Sequence, residues 1–421
     1  MFNAGRKHII VFEHQKLLFD PVNVEEINLL NSLIAYHGDY SPFYKLIRNG
    51  VQFCEYVGVL QIGETLIEVL PKADKAVDEE TKSKWQGLLI NMIRTVWGFS
   101  VKDSGSSNLK LKHNSVLDLY FELFISELES LLHAGLIKKY TCEQPNAKAL
   151  KGKLLFTKHI QANVVHRERF FIESTKYTVD HELHQILYTA LKLISKLNRN
   201  NLLTSRIGNL LLNFPEQKSL KVVASTFSKI VYNRKSIVYQ RAMEIAELLL
   251  LNYHPDLSKG RRNVLALMFD MNALWEQFVL RILQKQLLSH KVSGQKSKQF
   301  WKSQGMSSSM RPDIVLVDQL SNEVIVLDTK WKNLNGYSPS PDDLRQMYVY
   351  HEYFNAKRVA LIYPGNGESL GGQFYHKNQK ELDDKHCHIV QISANKDFKK
   401  WKDKIVECVK ESLSLEIKYI I

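Results

Sequence analysis

The chain has 421 residues, of which 44% are hydrophobic and 24% charged, so it is a globular protein too long for one ordinary core. Its formal net charge of +13 favours a polyanion as partner, and nucleic acid is the foremost candidate. The four cysteines lie far apart without a C-x-x-C pair, which argues against a zinc ribbon and a disulfide framework. Residues 1–15 are too polar for a signal peptide and no apolar run suits a membrane span, so we expect a cytoplasmic protein without membrane attachment.

The first region, residues 1–105, is predicted to be a mixed α/β domain. Val57–Ile62 and Thr65–Leu70 are rich in strand-forming residues and are separated by Gly63-Glu64, a pattern typical of a β-hairpin. Lys84–Trp97 then has apolar residues at helical spacing. We therefore expect a hairpin followed by a helix.

The second region, residues 106–260, is predicted to be mainly helical. Apolar residues recur at helical intervals in three segments: Val116–Ala134, Asp180–Leu197 and Ile237–Leu251. Gly135 directly follows the first segment and suits the end of a helix. Two segments between the helices are expected to be extended: Gly152–Gln161 and Arg169–Ser174.

The third region, residues 261–421, begins with a predicted helix, Asn272–Leu288, and a polar stretch rich in serine and lysine that runs to Met310. The order strand, strand, helix, strand, strand and helix is then predicted for Asp313–Val317, Glu323–Asp328, Pro341–Phe354, Val359–Tyr363, His388–Ile392 and Asp397–Leu413. The three regions together predict a multidomain α+β protein.

Two aspartates and a lysine stand where the first two strands of this region meet. Asp313 begins one strand, Asp328 ends the next, and Lys330 follows two residues later. Because alternate residues of a strand point to one side, Asp328 and Lys330 face the same way, and pairing of the strands would bring Asp313 to both. Such a set suits phosphodiester hydrolysis, since carboxylates hold Mg²⁺ and a lysine can orient or deprotonate the attacking water.

Three other side chains are candidates for the same site. Gln346 and Tyr350 are four residues apart on a predicted helix and share a face, and Glu276 on the preceding helix offers another carboxylate. Each has a simpler interpretation by itself, Glu276 as a solvated helix residue and Tyr350 as a core residue. An aspartate two residues before a lysine also occurs by chance, so the prediction depends on the order of all these elements.

A stretch without acidic residues runs from Gln277 to Pro312 and leads directly into Asp313. Its cations suggest contacts with DNA phosphates, which are independent of base sequence and weaken with salt. The alternative is a solvated loop. The residues predicted to make these contacts are Lys296, Lys298, Lys302 and Arg311.

The order of the motifs resembles the PD-(D/E)XK nuclease superfamily, with Pro312-Asp313, Asp328-Thr329-Lys330 and Gln346-x-x-x-Tyr350. The resemblance implies a mixed central sheet flanked by helices. It also implies two metal-ligating aspartates, a catalytic lysine and an accessory acid that also binds the metal, which would be Asp313, Asp328, Lys330 and Glu276. Thr329 joins the expected ligands, and the expected metal is Mg²⁺ or, in its place, Mn²⁺.

Further stretches extend the resemblance over most of the chain, to the McrC family of nuclease subunits in McrBC modification-dependent restriction systems: Tyr56–Val59 with Ile67–Lys72, Gly135–Tyr140 with Leu150–Leu154, and Leu274–Val279. Lys151 departs from the pattern, because an arginine is expected there. McrC proteins bind a hexameric AAA+ GTPase, McrB, stimulate its GTP hydrolysis and cleave DNA with it. The resemblance thus implies DNA and such a GTPase as partners, recognition of methylcytosine DNA and binding of GTP by that partner, and docking through residues 1–105.

Two other functions stay open, namely a non-catalytic assembly or DNA-binding adaptor that stimulates the motor, and a stand-alone repair or mobile-element nuclease. The chain has no G-x-x-x-x-G-K-[ST] loop, as expected if a separate subunit binds GTP. His181 and His184 are not spaced like the histidines of zinc proteases, because Gln185 stands where the second histidine would be. We expect both histidines to be ordinary helix residues.

Overall fold

The computed structural model describes residues 7–38, 40–72, 78–97, 115–218, 220–254, 263–334, 338–376 and 380–414. Its contacts divide the chain into two compact units, of which the larger joins residues 7–112 to 268–421 and the smaller comprises residues 113–267 with 1–6. Helices and mixed sheets both occur among the described residues, so the predicted α+β class is confirmed. The first and third predicted regions fall largely in one unit, and the division into three domains stays a prediction.

In the first part of the larger unit, the described residues form β1 (Lys7–Phe12), β2 (Lys16–Leu18), α1 (Val24–His37), β3 (Tyr44–Ile47), β4 (Gly50–Phe53), β5 (Tyr56–Ile62), β6 (Thr65–Leu70) and α2 (Glu79–Val96). β6 runs parallel to β1 and antiparallel to β5, and β4 pairs with both β2 and β3. The predicted hairpin is confirmed, with Gly63 in the left-handed conformation (φ 55°) that favours glycine. α2 begins earlier than predicted because Asp78 caps it by accepting from Thr81 N at 2.8 Å.

In the smaller unit, the described residues form α3 (Val116–Ala134), β7 (Lys139–Glu143), β8 (Asn146–Ala147), β9 (Lys153–Leu154), α4 (Phe156–Asn163), β10 (Phe170–Thr178), α5 (Glu182–Leu197), α6 (Asn201–Asn213), α7 (Ala224–Ser228), a 3-10 turn (Ile237–Tyr239), α8 (Gln240–Leu251) and β11 (Tyr253–His254). The three predicted helices are confirmed, and α3 has both predicted ends. β10 pairs antiparallel with β7, β8 and β9.

The extended conformation predicted for Gly152–Gln161 is wrong after β9, where α4 begins. Polar contacts fix this helix, because the amides of Asn163 and Asn146 exchange hydrogen bonds of 2.8 and 2.9 Å. Its apolar residues point outward, and Phe156 is 69% exposed. Apolar spacing therefore could not indicate the helix.

The chain passes from the smaller unit to the second part of the larger unit within β12 (Val264–Asp270), between Leu267 and Met268. There the described residues form α9 (Met271–Gln286), β13 (His290–Gly294), β14 (Lys298–Ser303), β15 (Met306–Met310), β16 (Ile314–Asp318), β17 (Val324–Thr329), α10 (Pro341–Phe354), β18 (Ala356–Pro364), β19 (Leu370–Tyr375), β20 (Leu382–Ile392) and α11 (Phe398–Ser414). Six strands make a mixed sheet in the order β13-β16-β17-β18-β20-β19, with β17, β18 and β20 parallel. The six elements predicted after Met310 occur in the predicted order, but β19 was not predicted, and the polar stretch before Met310 contains three strands.

A cluster of four buried tryptophans packs the two parts of the larger unit together: Trp85 of α2, Trp275 of α9, Trp331 after β17 and Trp401 of α11. Neighbouring rings in the cluster lie 5.4 to 6.5 Å apart between centroids. Glu13 adds a polar link, because its Oε1 accepts from Trp331 Nε1 at 2.7 Å and from Lys72 N at 2.6 Å. These contacts explain why residues so distant in sequence share a unit.

Among the described helices, none combines the length and apolar character needed to cross a membrane.

Candidate active site

The two candidate aspartates are brought together by the pairing of β16 with β17. Ile314 lies opposite Leu327 in this antiparallel pair, so the next residues outward, Asp313 and Asp328, face each other at the strand ends. β17 lies between β16 and the parallel strand β18, and its apolar residues are those of an interior strand. Asp328 lies near the C-terminal end of β17, and its carboxylate is buried there, with the side chain only 2% exposed.

Lys330 forms an ion pair with Asp328, and its Nζ lies 2.7 Å from Asp328 Oδ2. Burial raises the pKa of the Asp328 carboxyl, the charge of Asp313 raises it further, and Lys330 opposes both effects. Burial lowers the pKa of Lys330, but the neighbouring aspartates outweigh burial and raise it overall. The lysine is therefore held as a cation beside the two acids.

Thr329 fixes the position of Asp313. Its backbone N–H and its hydroxyl both donate to Asp313 Oδ2, at 2.7 and 2.8 Å. Thr329 is buried at the end of β17, so this pair of donors is held by the sheet. The structure therefore places the predicted ligand Thr329 against the predicted ligand Asp313, and a direct bond from Thr329 to metal stays a prediction.

α10 brings Gln346 and Tyr350 to the same place. Gln346 Nε2 donates to the Tyr350 hydroxyl at 2.7 Å, and Lys330 Nζ lies 3.5 Å from Gln346 Oε1. Burial and then the charge of Asp328 raise the pKa of Tyr350 to about 12, so the phenol stays protonated. The start of α10 is set by Ser340, whose hydroxyl accepts from Asp343 N, and by Pro341 in the first turn.

Glu276 of α9 also reaches this region. Burial raises the pKa of its half-buried carboxyl, and the charge of Asp313 adds to the rise. Its Oε1 accepts from Gln295 Nε2 at 2.7 Å, and Arg311 in turn donates to Gln295 Oε1. The acid is therefore connected to the site through a residue that the sequence analysis did not single out.

Gln295 occupies a position that sequence patterns do not mark. Its backbone is left-handed (φ 50°), and its N–H donates to the Asp313 carbonyl at 3.0 Å. Asparagine and aspartate, more than glutamine, are enriched in this conformation. Only its place in the basic stretch, between a predicted helix and Asp313, hinted at a role.

The residues present suit a hard divalent cation. Asp328 Oδ2 is buried, and within the described ranges its polar contact is the ion pair with Lys330. No group of three or more His, Cys, Asp or Glu side chains in the described ranges is arranged to hold a metal by itself. Mg²⁺ commonly takes one or two carboxylates and completes its shell with water and substrate oxygens, so Asp313 and Asp328 fit that ion.

The four side chains predicted to contact phosphate differ in whether they already form hydrogen bonds within the chain. Lys298 Nζ donates to the Tyr353 carbonyl at 2.7 Å, and Arg311 donates to Gln295. Lys296 and Lys302 are exposed, and neither forms an ion pair or side-chain hydrogen bond with the residues that the structure describes. These two lysines are thus available to an outside anion.

His184 in the smaller unit is a buried structural residue. Its ring lies 2.6 Å from the Val179 carbonyl and 3.0 Å from the Tyr239 hydroxyl. The carbonyl accepts only, so Nδ1 donates to it and Nε2 accepts from the hydroxyl. The expectation that His184 has an ordinary structural role agrees with these contacts.

The family model for the McrBC 5-methylcytosine restriction system component matches residues 51–364. A chain of the refined half-complex from the tetradecameric assembly of Thermococcus gammatolerans McrB AAA+ hexamers with bound McrC is similar in fold, with a TM-score of 0.64 and 20% identity over 96% of this chain and 100% of that chain. A chain of the cryo-EM structure of the Thermococcus gammatolerans McrBC complex matches 67% of this chain and 88% of its own length, with 20% identity and a TM-score of 0.48. No curated protein matches the chain.

Proposed function

The chain belongs to the McrBC family of 5-methylcytosine restriction system components, as its sequence resemblance predicted, and we propose that it is the metal-dependent DNA endonuclease of such a system. The observation that carries the proposal is the meeting of Asp313, Asp328 and Lys330 at the end of one buried strand pair. Two acids beside a cation are the groups that metal-assisted hydrolysis of a phosphodiester needs, and this supports the proposal.

Asp313 and Asp328 would hold Mg²⁺ or Mn²⁺. When bound, such an ion polarises a phosphate oxygen and makes water a stronger nucleophile. Thr329 keeps Asp313 in place through two hydrogen bonds. Glu276, oriented by Gln295, would add the third acid on the side of α9.

Lys330 is the residue that would act on the reacting groups. Its ammonium has three donors, of which one is directed to Asp328 and one to Gln346, and the third would reach a phosphate oxygen or the attacking water. Gln346 lies on its other side and in turn binds the hydroxyl of Tyr350. α10 would thus keep the lysine from swinging away from the acids.

We further propose a hexameric AAA+ GTPase as partner, with recognition of methylated DNA and binding of GTP on its side. The support is the family membership and the Thermococcus gammatolerans assembly, which contains McrB AAA+ hexamers with bound McrC. The chain itself lacks a G-x-x-x-x-G-K-[ST] loop. Docking through residues 1–105 remains part of this proposal.

The test is cleavage of methylated plasmid DNA by the chain together with its AAA+ partner, GTP and Mg²⁺. Asp328→Asn and Lys330→Met should each slow cutting by about 100-fold or more, while stimulation of GTP hydrolysis persists. Asp384→Asn and Lys410→Met change exposed residues of the same unit and should cut normally.

Each alternative function has its own outcome in this experiment. Cutting by the site variants at the parental rate would refute the site. GTPase stimulation by the parent without cutting under Mg²⁺ or Mn²⁺ would identify an adaptor. Cutting in the absence of both GTP and the partner would identify a stand-alone nuclease.

A further inference from the structure

Residues Lys298–Met310, here named the ribbon, form an antiparallel hairpin of β14 and β15. Ser303 pairs with Met306, so the strands are joined by Gln304 and Gly305, and Gly305 supplies a positive φ of 79° at the turn. The ribbon is a separate two-stranded sheet among the described residues. It therefore stands apart from the six-stranded sheet that carries the site.

The ribbon is attached at one end and exposed along its length. Met310 at its root is buried in a core cluster with Val315 and Tyr350, and Lys298 is bound to the Tyr353 carbonyl. All six residues of β14 and the first four of β15 are exposed. Because a two-stranded hairpin alone is only marginally stable in water, such a ribbon gains stability from what it binds.

The exposed surface of the ribbon combines apolar and cationic side chains. Trp301 is 53% exposed and Met306 is 67% exposed. Within the described ranges, the Trp301 side chain has no ring contact or hydrogen bond, and Lys302 has no ion pair. A large indole left in water beside a free lysine indicates a surface for recognition.

The positive charge of this surface favours a polyanion as its partner. The sequence has no aspartate or glutamate from Gln277 to Pro312, and Asp313 of the candidate site comes three residues after the ribbon ends. A polyanion therefore meets no repulsive side chain along the ribbon, and whatever the ribbon holds lies close to the site in the chain.

Building on the proposed nuclease function, we propose that the ribbon enters the major groove of a DNA duplex and holds the duplex at the active site. Two strands about 4.8 Å apart with their side chains fit a groove about 12 Å wide but not one about 6 Å wide. Lys302 contacts phosphate, and Trp301 and Met306 pack on the apolar edges of bases. The ribbon is thus the element through which the nuclease binds its duplex substrate.

The test is the fluorescence anisotropy of a labelled DNA duplex titrated with the full chain in EDTA, so that no cutting occurs, over a series of salt concentrations. Trp301→Ala should weaken binding about tenfold with an unchanged salt dependence. Lys302→Gln should weaken binding and lower the slope of log K against log salt by about one. Tyr375→Ala, on β19 at the opposite edge of the six-stranded sheet, and Lys410→Gln are the matched controls and should bind like the parent.

Several outcomes would overturn the proposal. The proposal fails if Trp301→Ala and Lys302→Gln both bind the duplex like the parent, or if the parent shows no salt-sensitive duplex binding. It also fails if the two variants lose binding only to single-stranded DNA, or only to the AAA+ partner. Because the Trp301 and Lys302 side chains are exposed, both variants should unfold at the parental temperature. A thermal unfolding measurement therefore checks that they are folded. The nuclease proposal is judged separately, because Asp328→Asn can stop cutting whether or not the ribbon binds DNA.

Discussion

Gln295 and Glu276 are joined by a hydrogen bond of 2.7 Å, in which the amide Nε2 donates to carboxylate Oε1. The Gln295 amide oxygen accepts from Arg311, and its backbone donates to the carbonyl of Asp313. One left-handed residue therefore connects an acid on α9 with the start of β16 and with the arginine that follows the ribbon.

Replacement of Gln295 by alanine should slow DNA cutting about tenfold, because a hydrogen bond to a charged group is worth about 1.5–3 kcal/mol. Glu276 would lose the donor that orients it, so the Mg²⁺ concentration for half-maximal cutting should rise as well. Cleavage rates over a Mg²⁺ titration measure both effects. Gln319→Ala, at an exposed glutamine, is the control.

Measuring Gln295→Ala both in the parent and in a Glu276→Gln background shows whether Gln295 acts by positioning Glu276 or in another way. If the amide acts through Glu276, the two substitutions should be strongly non-additive. An equal loss of rate from Gln295→Ala in both backgrounds would show that the amide acts elsewhere.

Thr329→Val should slow cutting by about five- to tenfold, since it removes one of the two donors to Asp313 and leaves the backbone donor in place. Thr329→Ser keeps the hydroxyl and should restore most of the rate. Single-turnover cleavage measures the effect on the chemical step. Normal cutting by the valine variant would mean that the hydroxyl is dispensable for placing Asp313.

Trp331→Phe should lower the free energy of unfolding by about 1–3 kcal/mol, because Glu13 loses its indole donor while buried. The Glu13 carboxyl would keep only the Lys72 N–H at Oε1, because its buried Oε2 has no hydrogen bond among the described residues. Urea unfolding measures the loss, with Trp301→Phe as the exposed control. A loss of the same size in a Glu13→Leu background would assign it to the tryptophan cluster instead.

Stability of the smaller unit should fall as the pH is lowered from about 6.5 to 4. Burial, and then the charge of His181, lowers the pKa of His184 to about 4 from its usual 6.5, although its bond to Val179 opposes the shift. Below pH 6.5 the unfolded chain therefore binds a proton that the folded chain refuses until about pH 4. This stabilisation, up to about 3 kcal/mol, is present above pH 6.5 and lost in that window.

Hydrogen exchange of α5 between pH 7 and 4.5 reports the loss in the smaller unit. His184→Gln should be less stable at pH 7 but should depend less on pH, because no proton enters at this position. His166→Gln, at an exposed histidine, should follow the parent. An unchanged pH dependence in His184→Gln would assign the acid sensitivity to another group, such as His181.

The parts of the fold that sequence predicts are those where a regular apolar pattern coincides with a clear boundary residue. α3 has apolar residues on successive turns and ends before Gly135, which has a φ of 85°, so both ends could be predicted. α10 begins at Pro341 after a serine cap for the same reason. The antiparallel pair of β16 and β17 follows from two apolar runs separated by a short turn.

The rest depends on contacts between residues distant in sequence. The ribbon has strand geometry without an apolar face, so its composition indicated only a polar stretch. The candidate site was predicted to include Asp313, Asp328 and Lys330, and the structure brings them together, yet their chemical roles stay predictions. Gln295 escaped notice because its role comes from a left-handed backbone and from partners on two other elements.

The larger unit is assembled from two stretches of chain separated by about 150 residues. During synthesis at roughly 5–20 residues per second, residues 7–112 would leave the ribosome about 10–30 s before the segment that carries Trp275, Trp331 and Trp401. For that time Trp85 is without Trp331 and Trp401, whose ring centroids later lie 5.8 and 6.5 Å from its own. The two parts of the larger unit therefore cannot pack together until this later segment is made, whereas residues 113–267 are all synthesised before it.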